Sequence, residues 1–213
     1  ADFYADNVRV MDGEIWFDFH APDTQFAMSD IRLGVPVMVN VENSVAAMAV
    51  VWLMGATVEE LRAGVESFAG VHRRFDVHVN GPRVSYIDDY AHHPQELAAT
   101  IQSVKTLYSD RYVIGVFQPH LYSRTRDFAD DFAQVLREMD EVVLLPIYPA
   151  REEPIAGVTS EWLMGLLGDE VRGDKVKRVL AKPYIVGKYL RLRMKQCWEK
   201  GQNVVVLTMG AGD

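Results

Sequence analysis

One cysteine, Cys197, stands among 213 residues. That excludes an internal disulfide and fits a protein of the reducing cytoplasm. Positive charge is also short: 22 Lys and Arg face 30 Asp and Glu, a net charge of −8. General nucleic-acid binding needs basic surface, so no nucleic-acid partner is expected. Long apolar runs are missing. The longest, Val45 to Met54, is well short of the roughly 20 residues that span a bilayer, so no membrane partner is expected. Residues 1–20 mix Asp, Asn, Arg and Glu with the apolar positions, which excludes a secretory leader there. There is no internal repeat and no low-complexity segment. What remains is an ordinary globular composition, 49% apolar and 24% charged. The length suits one large domain or two modest ones. An acidic chain that handles phosphates must do so with a few placed cations and backbone donors.

Local signals divide the chain in two. Phe3–Met11 and Glu14–Phe19 read as strands joined by Asp12-Gly13, a strong hairpin signal. A strand over Val35–Val39 follows. From Glu42 to Trp52 the spacing of Val45, Met48, Ala49 and Trp52 predicts a helix, which Gly55 ends. Thr57 caps a further helix that runs to about Phe68, with Glu60 three residues on completing a capping box. A hairpin and two helices are little core for an independent domain, so residues 1–70 read as the tail of a larger one. From residue 71 strands and helices alternate. Strands are expected at Val84–Asp88, Tyr112–Phe117, Glu141–Leu145, Arg178–Leu180 and Asn203–Thr208. Helices are expected at Gln95–Tyr108, Arg126–Met139, Ser160–Leu167 and Ile185–Lys200. Several strands are almost wholly apolar, as a parallel sheet covered on both faces requires. The expected fold of residues 71–213 is a doubly wound α/β domain.

Polar, turn-rich segments follow four of these strands. They are Asp88-Asp89-Tyr90-Ala91-His92-His93-Pro94, Gln118-Pro119-His120-Leu121-Tyr122-Ser123-Arg124-Thr125, Ile147–Ile155 and Gly210-Ala211-Gly212-Asp213. The loops at the other edge, 109–111 and 200–202, look like plain connectors. Ligands of open α/β sheets bind outside the carboxyl ends of the strands, so this asymmetry marks an active edge. Each group also has a plainer reading. Asp88-Asp89 suits turn and cap carboxylates. Adjacent histidines project apart, so His92-His93 is a poor metal pair beside a helical i, i+4 spacing. A His/Asp metal hydrolase would nonetheless use these groups, and would carry stoichiometric zinc. Arg124 suits a carboxylate through two parallel hydrogen bonds, but also suits pairing with Asp127 or Asp130. Gly210-Ala211-Gly212 is a fragment of a phosphate-binding pattern. Arg73-Arg74 is either surface charge or a hinge arginine that reaches a bound phosphate.

Taken together and in order, these segments resemble the Mur ligases. The likeness rests on Gly70-Val71-His72-Arg73-Arg74-Phe75, the 88–94 turn, Phe117–Thr125, the 147–155 loop and Gly210-Ala211-Gly212. It covers nearly the whole chain. The resemblance implies a Rossmann-like C-terminal domain with a mostly parallel sheet over 71–213. It also implies that 1–70 is the last part of a central α/β ATPase domain. The implied chemistry is ATP-driven amide formation through an acyl phosphate. Within the family, the 118–125 segment favours the member that joins L-alanine to UDP-N-acetylmuramate over the recycling member that attaches a whole tripeptide. ATP and Mg are the implied cofactors, with the Mg ligands expected upstream, so no metal ligand is assigned in this chain. Asn40 and Asn43 resemble the residues that meet adenine, although Val39 stands where the family usually has histidine. Arg74 resembles the arginine on the nucleotide phosphates, and Asp89 the aspartate that holds the nucleotide. His92, His120 and Arg124 resemble the groups around the amino acid and the acyl phosphate. Leu121 replaces an arginine often found there, which leaves Arg124 for the alanine carboxylate. No Gly-x-x-Gly-Lys-Thr phosphate loop occurs in the sequence, so the chain is expected to be a ligase fragment inactive by itself. A stand-alone nucleotide- or metabolite-binding module is the alternative. No oligomer is specified.

Overall fold

The computed structural model describes residues 2–22, 27–168, 177–180 and 182–212, with backbone alone at 177–180. The chain forms two compact units, Ala1–Val71 and His72–Asp213.

The first unit opens with β1 (Tyr4–Met11) and β2 (Glu14–His20), an antiparallel pair. Asp12 and Gly13 both take positive φ, 53° and 79°, as a two-residue primed hairpin turn demands. Alternation along β2 buries Ile15, Phe17 and Phe19 on one face. A third strand, β3 (Ala27–Arg32), pairs with β2. Its polar Ser29 and Asp30 hide it from a periodicity reading. The strand expected at 35–39 is instead a turn. Asn40 N–H reaches Val37 O (2.8 Å) and α1 (Val39–Leu53) begins at once. The true start is silent in sequence because Met38, the residue before the helix, makes no side-chain cap. The helix α2 (Val58–Ser67) starts at the expected capping box: Glu60 N–H donates to Thr57 Oγ1 (3.2 Å) and Thr57 N–H to Glu60 Oε2 (2.8 Å).

The second unit is a six-stranded sheet in the order β4-β5-β9-β6-β7-β8. The edge strand β4 (Asp76–Asn80) is antiparallel to β5 (Val84–Asp89). It was not expected, because an edge strand exposed on Val77 and Val79 carries no burial pattern. After α3 (Pro94–Leu107) and β6 (Tyr112–Phe117), the helix expected over 126–139 is in fact two. These are α4 (Tyr122–Asp127) and α5 (Ala129–Leu136), broken at Phe128, whose ring meets His93 at 4.6 Å. Then follow β7 (Glu141–Leu144), α6 (Ser160–Leu166), β8 (Lys177–Leu180), α7 (Pro183–Glu199) and β9 (Val204–Met209). Strands β5, β9, β6, β7 and β8 are all parallel.

Alternation sorts the sheet into two faces. Ile114, Val116, Val143, Val204 and Val206 pack under α7, through Cys197, Val186, Leu190 and Met194. On the other face Phe117 meets Phe132 of α5 at 5.4 Å. There Gly115 leaves room for Met139, whose Sδ would lie 2.1 Å from an added Cβ. With helices on both faces, the apolar strands are covered as a parallel sheet requires. Register places Asp89 beside Met209, Met209 beside Phe117 and Phe117 beside Leu144. The segments that follow these residues therefore leave the sheet at one edge. Among the described residues no helix is long and apolar enough to cross a membrane.

Candidate functional site

At the end of β5 the period-2 alternation sends Asp88 and Asp89 to opposite faces. Asp89 is buried, at 6% exposure. Its Oδ1 accepts Ala91 N–H (2.7 Å); its Oδ2 accepts Phe75 N–H (2.9 Å) and Thr100 Oγ1–H (3.2 Å). Burial pushes this carboxyl above its usual range, and the three donors and the Arg74 charge pull it back only in part. Asp89 thus ties the 73–75 segment to α3. Asp88 faces the α7 side, where it takes Arg73 Nε (3.1 Å) and Thr208 Oγ1. Arg73 also donates to Gly212 O (2.8 Å) and Gly210 O (2.7 Å). Gly210, at φ 140°, leaves only 2.8 Å between an added Cβ and Gln118 O. Close packing accounts for these glycines without any phosphate. Asp213 lies outside the described residues.

The two adjacent arginines therefore differ. Both guanidinium carbons lie over the Tyr90 ring, at 5.1 and 5.3 Å. Arg73 is held at Asp88 and the glycine turn, while Arg74 is exposed and makes no ion pair among the described residues. The two histidines differ as well. His93 N–H donates to Glu96 Oε2 (3.2 Å), and its ring packs on Phe128. His92 Nδ1 donates to Tyr90 O (2.9 Å), which fixes the ring, and the ring lies 6.1 Å from that of His120.

After β6 the chain extends through Pro119 and His120 beside the segment after β7. Tyr148 N–H donates to Pro119 O (2.8 Å) and Leu121 N–H to Tyr148 O (2.9 Å). This places the His120 ring flat against Tyr148, 5.4 Å between centroids and 16° between planes. Leu121 then takes φ 72°, a conformation that costs a non-glycine residue about 1–3 kcal/mol and must be held by its surroundings. Helix α4 begins there and carries Arg124. Glu152 accepts Ser123 N–H (2.9 Å) and Ser123 Oγ–H. Asp127, an alternative partner for Arg124, pairs with Arg126 instead (2.8 Å).

Two buried side-chain polar atoms lack a partner among the described residues, His120 Nδ1 and Arg124 Nη1. Native proteins rarely leave buried donors and acceptors unmet, so such atoms point to a ligand. Burial first, then the charges of Arg124 and His92, holds the His120 imidazole below its usual value, with Glu152 opposing. The ring is therefore neutral near pH 7. A neutral imidazole next to an unpaired guanidinium suits a carboxylate or phosphoryl oxygen. The structure brings His92, His120 and Arg124 to one edge, with Arg74 and Asp89 on the neighbouring turn. No group of three His, Cys, Asp or Glu side chains stands in metal-binding geometry among the described residues.

In the first unit, Asn40 and Asn43 sit at the start of α1. Asn43 Nδ2 donates to Asn40 Oδ1 (3.1 Å), and Asn40 Nδ2 to Val35 O (3.4 Å). Both line a groove of about 310 Å³ whose walls include Met48, Val51, Leu61 and Phe68. Apolar walls with amides at one end suit a flat heterocycle. The second unit has a groove of about 510 Å³ between the β-strand ends and α7, lined by Arg73, Asp88, Gln118 and Thr208. Sequence reasoning gave Asp88 only a turn or cap reading and left Thr208, Tyr148 and Glu152 without a role. Alternation along β5 would have separated Asp88 from Asp89; the partners of Glu152 carry no sequence signal.

Residues 73–212 match the family model described as "Mur ligase, glutamate ligase domain". The chain is 50% identical over 213 residues to a UDP-N-acetylmuramate–L-alanine ligase of Parabacteroides distasonis, covering all of this chain and 43% of that protein. Similar structures include a UDP-N-acetylmuramate–alanine ligase of Thermotoga maritima, at TM-score 0.73 and 23% identity, with 100% of this chain and 43% of that one covered. A folylpolyglutamate synthase of Mycobacterium tuberculosis, solved with ADP and AMPPCP, shares the fold at TM-score 0.75 and 17% identity, over 99% of this chain and 46% of that one.

Proposed function

The chain belongs to the Mur ligase family, and from that premise we propose that it serves an ATP-dependent ligase that joins L-alanine to UDP-N-acetylmuramate. The curated relatives that support this reading are named for that activity, and the chain spans 43% of the length of the first of them. The reaction belongs to peptidoglycan-precursor synthesis in the cytoplasm. The single observation that carries the site assignment is the pair of buried, unpartnered atoms His120 Nδ1 and Arg124 Nη1.

On this reading Arg124 takes the carboxylate of L-alanine, and its fixed place orients the amine for attack. His92 and His120 hold the reacting oxygens, with His120 neutral so that it can exchange a hydrogen bond rather than repel Arg124. Arg74, exposed and without an ion pair among the described residues, is assigned to a phosphate oxygen. Asn40 and Asn43 are assigned to the adenine edge in their apolar groove. Asp89 acts through the turn it holds, since its oxygens are taken by Ala91, Phe75 and Thr100. Bound ATP supplies the phosphoryl group that activates the sugar's carboxylate as an acyl phosphate. The described residues offer no ligand set for Mg, so no step is assigned to it here. The 213 residues alone are not expected to turn over ATP, because the sequence holds no Gly-x-x-Gly-Lys-Thr loop.

The test is phosphate release from ATP with UDP-N-acetylmuramate, by the protein as it is naturally made. L-alanine, D-glutamate and the muramyl tripeptide are compared as acceptors. Release that depends on L-alanine supports the reading; dependence on the tripeptide moves it to the recycling reaction. No release with any of these acceptors leaves a nucleotide- or metabolite-binding module.

A further inference from the structure

The loop after β7 does more than pass by the His120 turn. Its main chain is zipped to that turn as far as Leu121, through Tyr148 N–H to Pro119 O and Leu121 N–H to Tyr148 O, at 2.8 and 2.9 Å. Beyond Leu121 a side chain continues the contact. Glu152 N–H closes a turn on Pro149 O (2.9 Å), with Ala150 at φ 52°. That turn aims the Glu152 carboxylate back across the gap. It accepts Ser123 N–H (2.9 Å) with one oxygen and Ser123 Oγ–H with the other. Both bonds fall in the first turn of α4, whose own N–H groups have no helical acceptor there. Arg124 is the next residue.

The need for such a hold is local. Leu121 sits at φ 72°, a strained start for a helix of only six residues. Thr125 secures its far side, donating N–H (3.1 Å) and Oγ1–H (2.7 Å) to Leu121 O. Without a hold on Ser123, the strained turn has an easy way to relax, and Arg124 would move with it. The neighbouring Glu153 is exposed and has no partner among the described residues. The two consecutive glutamates therefore differ as sharply as Arg73 and Arg74 do.

We propose that Glu152 is a positioning residue for amino-acid binding: it clamps Ser123 from the opposite loop and so sets where Arg124 meets the L-alanine carboxylate beside His120. It touches neither substrate nor reacting atoms. The proposal rests on the reading of Arg124 as the carboxylate site, with His120 beside it on the reacting oxygens.

The experiment measures KM for L-alanine, KM for ATP and kcat in the naturally made protein, for wild type, Glu152→Ala, Glu152→Gln and Glu153→Ala. Glu152→Ala should raise KM for L-alanine about tenfold or more, because a displaced guanidinium forfeits a hydrogen bond strengthened by charge. KM for ATP should stay within about twofold, as the clamp bonds Ser123 and none of the residues assigned to the nucleotide. Glu152→Gln keeps the length and one acceptor, so it should recover most of the loss; Glu153→Ala should match wild type. An unchanged KM for L-alanine in Glu152→Ala, or an equal rise for ATP, overturns the proposal. If Glu152→Ala does not fold, Ser123→Ala takes its place, with a smaller rise of the same selectivity expected. If wild type shows no L-alanine-dependent release, the functional reading has failed by itself. The clamp is then judged on the 213-residue chain by NMR. Glu152→Ala should shift the His120 ring and Arg124 side-chain signals and leave the Arg193 signals in place; unmoved His120 and Arg124 signals overturn it.

Discussion

Two polar clusters sit at opposite ends of the same parallel sheet. At the amino-terminal end of β7, Glu141 is fully buried and completely met. Arg193 grips it with Nε (3.0 and 2.9 Å) and Nη2 (2.7 Å), Tyr112 Oη–H donates from 3.3 Å, and Tyr189 Oη–H donates as well. Burial and the Glu141 charge push the Tyr112 phenol up to about 12, so it stays a donor. At the carboxyl end, His120 and Arg124 are also buried at key atoms, yet Nδ1 and Nη1 go unmet. Burial of charge is common to both ends; satisfaction is not. A satisfied buried network holds the fold, and its loss is a stability event. An unsatisfied one leaves binding capacity for something else, and its loss is a functional event. Glu141 anchors α7 to the sheet, while Arg124 keeps a buried donor unmet among the described residues.

The largest effect should come from the satisfied end. Arg193→Met leaves Glu141 buried without its cation, which costs about 3–5 kcal/mol for a broken buried pair. Denaturant unfolding followed by near-ultraviolet circular dichroism checks this; a loss under about 1 kcal/mol, the range of an exposed pair, would erase the distinction. Asp89 lies at the functional edge but is internally satisfied, so it should behave like Glu141. Asp89→Asn sets an amide against a backbone or hydroxyl donor and should cost about 1–3 kcal/mol. Its pH dependence has a set sign. The folded carboxyl lies above its unfolded value, so the native state binds more protons in the window between them. Stability from this group therefore falls as pH rises through that window, and Asp89→Asn should remove this slope. The smallest effect concerns His120. Its folded imidazole lies below the usual histidine value, so stability from it falls as pH drops through the ordinary value toward the lowered one. Arg124→Gln removes the second-largest cause and should move the His120 titration, followed by NMR, upward. An unmoved titration would mean the two side chains do not share a site.

Much of this was readable from local rules. The Asp12-Gly13 turn and the Thr57–Glu60 box are contained within a few residues, and the structure has both. The buried strands β6, β7 and β9 announced themselves by continuous apolar runs. What failed was set by distant contacts. β3 and β4 are edge strands whose polar or exposed residues break the pattern, and the expected helix divides at Phe128, whose ring meets His93. At the site, residue types in the 88–94 and 118–125 turns were legible, and so was their common edge. Which aspartate is consumed by the fold was not, because the donors to Asp89 come from Phe75 and Thr100, well away in sequence. The clamp from Glu152 to Ser123 spans 29 residues and was invisible for the same reason.

The most direct test pairs the two arginines. KM for L-alanine and the unfolding midpoint are measured for Arg124→Ala and Arg193→Met in the naturally made protein, with alaninamide as an uncharged comparison. The account predicts that Arg124→Ala raises KM for L-alanine roughly ten- to a hundredfold, the worth of one hydrogen bond to a charged group, with the midpoint unmoved. Alaninamide should be a poor acceptor for both wild type and Arg124→Ala, and Arg193→Met should lower the midpoint. If Arg124→Ala binds L-alanine normally, or unfolds as readily as Arg193→Met, the unmet guanidinium is not the carboxylate site and the distinction between the two ends fails.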